Sequence, residues 1–151
     1  RALVQQIAPW MTGAFAATFY FQILLALFIG RWWQAVLYNP GGFGAEFREL
    51  RLHPAAGVLG VLAFVVLQVQ DHAIWAAELL LLLTPLYLLQ GVAVAHALAD
   101  AFRAKRVWLV GFYAALVLAM PHAELLVAGL GLADIWVNVR AKIQARAESD
   151  S

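Results

Sequence analysis

Apolar residues run along this chain in blocks of membrane-crossing length, interrupted by Pro, Gly and clusters of charge. The clearest block, LLLLLTPLYLLQGVAVAHALAD from Leu79 to Asp100, carries no Asp, Glu, Lys or Arg in its first 21 residues. About 20 such residues suffice for a helix to cross a hydrocarbon core of roughly 30 Å. Read in this way, the pattern predicts five spans, over 7–37, 54–70, 73–102, 107–120 and 122–139. Trp10 marks one end of the first span and Trp32, Trp33 and Tyr38 the other, as expected of rings that favour the headgroup level. Pro85 predicts a kink in the third span, and Pro121 separates the fourth from the fifth. The fourth span, 14 residues or about 21 Å as a helix, is short for a full crossing unless flanking cations snorkel or the bilayer thins.

Between the first two spans Asn39-Pro40-Gly41-Gly42 breaks the helix. In the FGAEFRELRLH that follows, Phe43, Phe47 and Leu50 fall at i, i+4 and i+7, while Glu46, Arg48, Glu49 and Arg51 lie elsewhere around the wheel. The pattern predicts a short helix over 43–52 lying in the membrane interface. Two readings stand for it: a positioning element at the headgroups, or a docking and ligand-contact surface.

Composition agrees with the pattern, since 64% of residues are hydrophobic, 13% are charged and mean hydropathy is +0.80. Soluble domains average roughly 45–50% apolar and 25% charged. The expected class is all-α, a polytopic helical membrane protein built as a single helical membrane domain over 1–151. No basic block suggests nucleic acid as a partner. The absence of Cys excludes disulfides, thiolate catalysis and Cys-ligated metals.

The distribution of charge adds orientation. The first connection holds Arg48 and Arg51, the third holds Arg103, Lys105 and Arg106, and the tail holds Arg140, Lys142 and Arg146, whereas the other two connections hold no Lys or Arg. Basic segments stay cytoplasmic, so a hairpin at Pro121 and five spans put all three basic segments inside, with the Arg1 side facing outward. The expected location is a bacterial inner membrane. The chain starts at Arg1 and lacks the pattern of a signal peptide. An outward start without a targeting signal predicts an odd number of upstream spans in the full protein.

Three stretches, EFRELRL at 46–52, LLQGVAVAHAL at 88–98 and GLADIWVNVR at 131–140, together resemble the C-terminal half of the YybS-like family of bacterial membrane proteins of unknown function. The likeness covers about 41–140 in the same order. It implies additional N-terminal spans, and a distant similarity in fold to the S components of energy-coupling-factor transporters, bundles that hold a vitamin or metal ion. No vitamin-binding motif carries over residue by residue, and fold analogy alone says little about function.

Polar groups inside spans are costly unless shielded, which makes them site candidates. Glu78 and His96 are 18 residues apart, five helical turns, and share a face, with Asp100 one turn beyond His96. Asp134 and Asn138 share a face of the last span by i, i+4 spacing, with Gly131 leaving room above them. These placements predict an intramembrane network of Gln90, His96, Asp100, Asp134 and Asn138, joined by Arg140 or a loop arginine. It is read either as an interhelical clamp or as a proton relay or substrate gate. A second, outer cluster would combine Asp71, His72 and Glu78 with His122 and Glu124. Ordinary surface polarity explains it as well as a divalent metal does, because no ligand spacing such as HExxH is present.

No nucleophile elbow, P-loop or dinucleotide-binding glycine pattern occurs. The expected function is therefore that of a non-catalytic, substrate-binding or transport-type membrane subunit, without a cofactor. Its partners would be the lipid bilayer, other membrane subunits and a small-molecule ligand. The alternatives are a scaffold or accessory subunit of a larger membrane complex and, behind it, an intramembrane enzyme.

Overall fold

The structure, a computed structural model, describes residues 2–70 and 73–143, and no side chain among residues 2–7, 9 and 10. It is all-helical, with no strand among the described residues. Among the described residues the helices are α1 (Ala2–Tyr38), α2 (Gly42–Arg48), α3 (Pro54–Val69), α4 (Ile74–Ala101), α5 (Arg106–Leu118) and α6 (His122–Val137), and 139–143 are helical as well.

Local chemistry accounts for the boundaries. Gly41, at φ 88°, makes the turn between α1 and α2, a backbone conformation open to glycine at little cost. Pro54 opens α3 at the first helical position, where its missing N–H would be unpaired anyway. At the end of α4, Ala104 N–H reaches back to Ala99 O (2.8 Å) and Arg103 N–H to Asp100 O (3.0 Å), with Arg103 in the left-handed region at φ 48°. That is a Schellman close made without glycine. Pro85 sits inside α4 without ending it.

Five crossing helices were expected, and the count of those long and apolar enough is lower. Met11–Tyr38 of α1 and α4 qualify singly, and α5 with α6 qualifies only as a pair, giving two or at most three among the described residues. The same Pro and Gly positions that divide the sequence leave α3 at 16 residues and α5 at 13, about 24 and 20 Å of helix. Between α5 and α6 the axis bends by 118° around a cis Met120–Pro121 peptide, so the chain turns back on itself.

The interfacial element is also shorter than 43–52. Helix α2 stops at Arg48, and residues 50–53 carry no regular structure. A proline disfavours helical geometry in the residue before it, which here is His53. The segment 49–53 is therefore a strap, in which Leu50 O and Leu52 N–H bond to side chains rather than within a helix.

The chain divides into two compact units, one of Arg1–Phe43 with Ala55–Pro85 and one of Gly44–Pro54 with Leu86–Ser151. In the first, the shielded positions among the described α1 side chains are Gly13, Ala17, Tyr20, Phe21, Leu24, Phe28, Arg31 and Ala35, which apart from Phe21 form a stripe at spacings of three and four. Most other described α1 side chains are exposed and apolar, among them Phe15, Phe19, Leu27 and Leu37. Ala63, Ala73 and Ala76 form a small apolar core in the same unit, with Val66, Leu67, Leu79 and Leu80 packed against it. The second unit contains the strap, the C-terminal part of α4, α5 and α6.

Candidate functional site

In the second unit two glycines set the geometry. A Cβ added at Gly131 of α6 would collide with Tyr87 O and lie 2.6 Å from Gly91 N, and one added at Gly91 of α4 would collide with Val127 O. The two helices thus meet backbone to backbone, an approach only glycine permits. Asp134 follows Gly131 by one turn and Gln90 adjoins Gly91, so two short side chains reach each other.

Their bonds close into a ring. Gln90 Nε2 donates to Asp134 Oδ2 (3.1 Å), and Arg140 Nη2 donates to the same oxygen (2.7 Å). Arg140 Nη2 also donates to Leu50 O (2.9 Å), and Nη1 donates to Arg48 O. Leu52 N–H returns from the strap to Gln90 Oε1 (2.8 Å). Both Gln90 and Asp134 are 0% exposed and Arg140 is 8% exposed.

The end of α6 explains how Arg140 reaches Asp134. Asn138 adopts the left-handed conformation (φ 48°, ψ 58°), which Asn tolerates better than most residues. The chain then folds back, so that Val139 N–H donates to Asp134 Oδ1 (2.9 Å) and the arginine side chain lies over the carboxylate. One buried carboxylate therefore accepts three bonds and is neutralised by one buried cation. Among the described residues no buried side-chain nitrogen or oxygen lacks a partner. Such a pair is neutral overall, whereas either charge alone in this setting would be costly.

The remaining expected members lie elsewhere. Asp100 is largely exposed and pairs with Arg48 at 3.4 Å, outside the ring. Asn138 is half-buried beside it as the α6 cap. His96 forms a separate aromatic group: its Nδ1 donates to Val92 O (2.9 Å), Tyr113 hydroxyl stands 3.4 Å from Nε2, and the Phe47 ring meets it edge-on at 5.6 Å. Of the interfacial residues, Phe43 contacts Phe28 edge-on at 6.2 Å, Leu50 supplies a ring carbonyl and Arg51 is exposed.

Of the outer cluster, Asp71 and His72 lie outside the described residues. Glu78 is half-buried beside Gly13 in the first unit, whereas His122 is exposed and Glu124 half-buried at the start of α6 in the second. Among the described residues no three His, Asp or Glu side chains gather as a metal site.

Next to the ring lies an open cavity of about 640 Å³, lined by Arg48, Glu49, Arg51, Asp100, Asn138 and Arg140 over a floor of alanines. Gln90, Asp134 and His96 do not line it. The strap carbonyls, Tyr113 and the partner glycine Gly91 were not singled out from sequence. Carbonyls occur at every residue and give no signal, but Gly91 beside Gln90 could have been paired with Gly131 beside Asp134.

Comparison with family models, with curated proteins and with solved structures finds no match for the chain.

Proposed function

We propose that this protein is a non-catalytic, integral membrane scaffold or accessory subunit, and that its buried polar groups hold the fold together rather than handle a substrate. The observation that supports this most is the self-sufficiency of the ring: Gln90, Asp134 and Arg140 bond one another and the strap. A relay or gate needs a group with bonding capacity turned toward a path. Here the only carboxylate of the ring is fully buried and takes three donors.

The setting is a bacterial inner membrane with the strap end cytoplasmic. Support comes from the segregation of charge, because Arg48 and Arg51 from one connection and Arg140 from the chain after α6 line a single cavity. The reversal between α5 and α6 agrees with a hairpin that enters and leaves on that side. In this reading α3, α5 and α6 lie within or partly across the bilayer beside the two full-length helices.

A second reading, the substrate-binding or transport-type subunit implied by the YybS-like resemblance, is favoured by the cavity, whose volume falls in the range of roughly 300–1,000 Å³ usual for ligand sites. Native purification of the full-length protein, with mass spectrometry of all that stays bound, separates the two. A stable assembly of membrane proteins without transport subunits supports the scaffold, and a co-purifying ATPase pair overturns it.

A further inference from the structure

The cavity beside the ring carries a charge pattern that the scaffold reading does not use. Three arginines line it, but they are not equivalent. Arg140 is neutralised by Asp134 at 2.7 Å, and Arg48 faces Asp100 at 3.4 Å. Arg51 has no side-chain partner among the described residues, and the carboxylate of Glu49 has none either. The half-buried amide of Asn138 is likewise unengaged. The bonding capacity left facing this space is therefore one guanidinium, one carboxylate and one amide.

A simple anion site would carry an excess of positive charge, and a cation site the reverse. A balanced set fits a ligand that is itself balanced. The membrane reading proposed above, on which this step rests, narrows the chemistry further, since a short helix carrying Phe47 and ending in Arg48 leads into the strap, the pattern of an element that lies at the headgroups. Guanidinium groups match phosphate oxygens through paired donors, and a carboxylate matches an ammonium group.

The geometry points to a binding site for a phosphate-and-amine zwitterion of the phosphoethanolamine type, with its phosphate held by Arg51 and Asn138 and its ammonium by Glu49. Alanines 45, 97, 101 and 141 leave the room, because larger side chains there would fill it. The ligand is either a lipid headgroup or a free glycerophosphodiester, and the two share the recognised atoms.

The test uses the full protein, delipidated in detergent and titrated with short-chain phosphatidylethanolamine, phosphatidylglycerol and phosphatidylcholine, and separately with glycerophosphoethanolamine. Binding is followed by native mass spectrometry. Phosphatidylethanolamine is expected to bind at least about tenfold more tightly than the other two lipids, as loss of one charged hydrogen-bonding group usually costs about that factor. R51Q is expected to weaken it by about tenfold, and E49Q to remove the preference over phosphatidylglycerol. Both side chains are exposed, so unchanged thermal unfolding serves as the control. Binding of the free glycerophosphodiester as tight as that of the lipid identifies the soluble source, and much weaker binding identifies the headgroup. Equal binding of all three lipids, tighter phosphatidylglycerol, or wild-type binding by both variants overturns the proposal.

Discussion

The two units of this chain fill their interiors with different chemistry. Every buried residue described in the first is Gly or Ala except Leu83: Gly13, Ala17, Ala35, Gly57, Gly60, Ala63, Ala73, Ala76 and Ala77. The second buries Gln90, Asp134 and Arg140 among its apolar residues. In lipid, apolar burial gives helices little reason to prefer one another over acyl chains, so contact relies on close packing and on polar bonds. The buried positions described in the first unit serve the former. In the second, close packing at Gly91 and Gly131 brings the polar groups within bonding distance, and the bonds then select one register and fix the strap.

The difference can be broken most directly at the charges. D134L or R140M alone strands its partner in a buried site and is expected to cost about 3–5 kcal/mol. The double variant D134L/R140M is expected to be more stable than the sum of the two losses implies, with positive coupling in unfolding titrations in mixed micelles. Additive losses would show that the pair is not the source of stability.

A smaller effect is expected at the helix contact. G131A and G91A place a methyl on backbone atoms that cannot yield, and each is expected to cost about 1–3 kcal/mol by the same titration. G111A and G129A, with open space around them, are expected to be neutral or to stabilise by up to about 1 kcal/mol, as alanine favours the helix. Equal responses from all four would remove the distinction between contact and open glycines.

The first unit offers the matching case. At Gly13 an added Cβ lies 2.7 Å from Cγ of Glu78, a flexible side chain rather than backbone. G13A is expected to change stability by less than about 1 kcal/mol, because helix propensity offsets the adjustment. A loss as large as that at Gly131 would mean that both units are closed by rigid contacts. The weakest expected effect is Y113F, which removes a 3.4 Å contact to His96 too long to be a strong hydrogen bond, and changes the unfolding free energy by no more than about a few tenths of a kcal/mol.

Much of the helix layout was legible because Pro40, Pro54 and Pro121 and the charged segment 103–106 punctuate long apolar runs. The number of crossings was less legible, since apolarity marks which segments avoid water without stating whether each spans. Within the site, Asp134 and Gln90 stood out as polar residues within apolar helices, and Arg140 stood close by in sequence. Helical spacing grouped His96 with Asp100, yet the first pairs with Tyr113 and the second with Arg48. A wheel gives the face of one helix but not the neighbour opposite it. The strap escaped notice for a different reason: Phe43, Phe47 and Leu50 follow a helical period that tertiary bonds to its carbonyls override.

The bond from Arg140 to the carbonyl of Arg48 joins residues 92 positions apart, and it completes the ring. In chain order both the strap and Asp134 come before the residue that joins them. The buried carboxylate is therefore neutralised, and the strap fixed, by one and the same side chain, so neither can be set in place without the other.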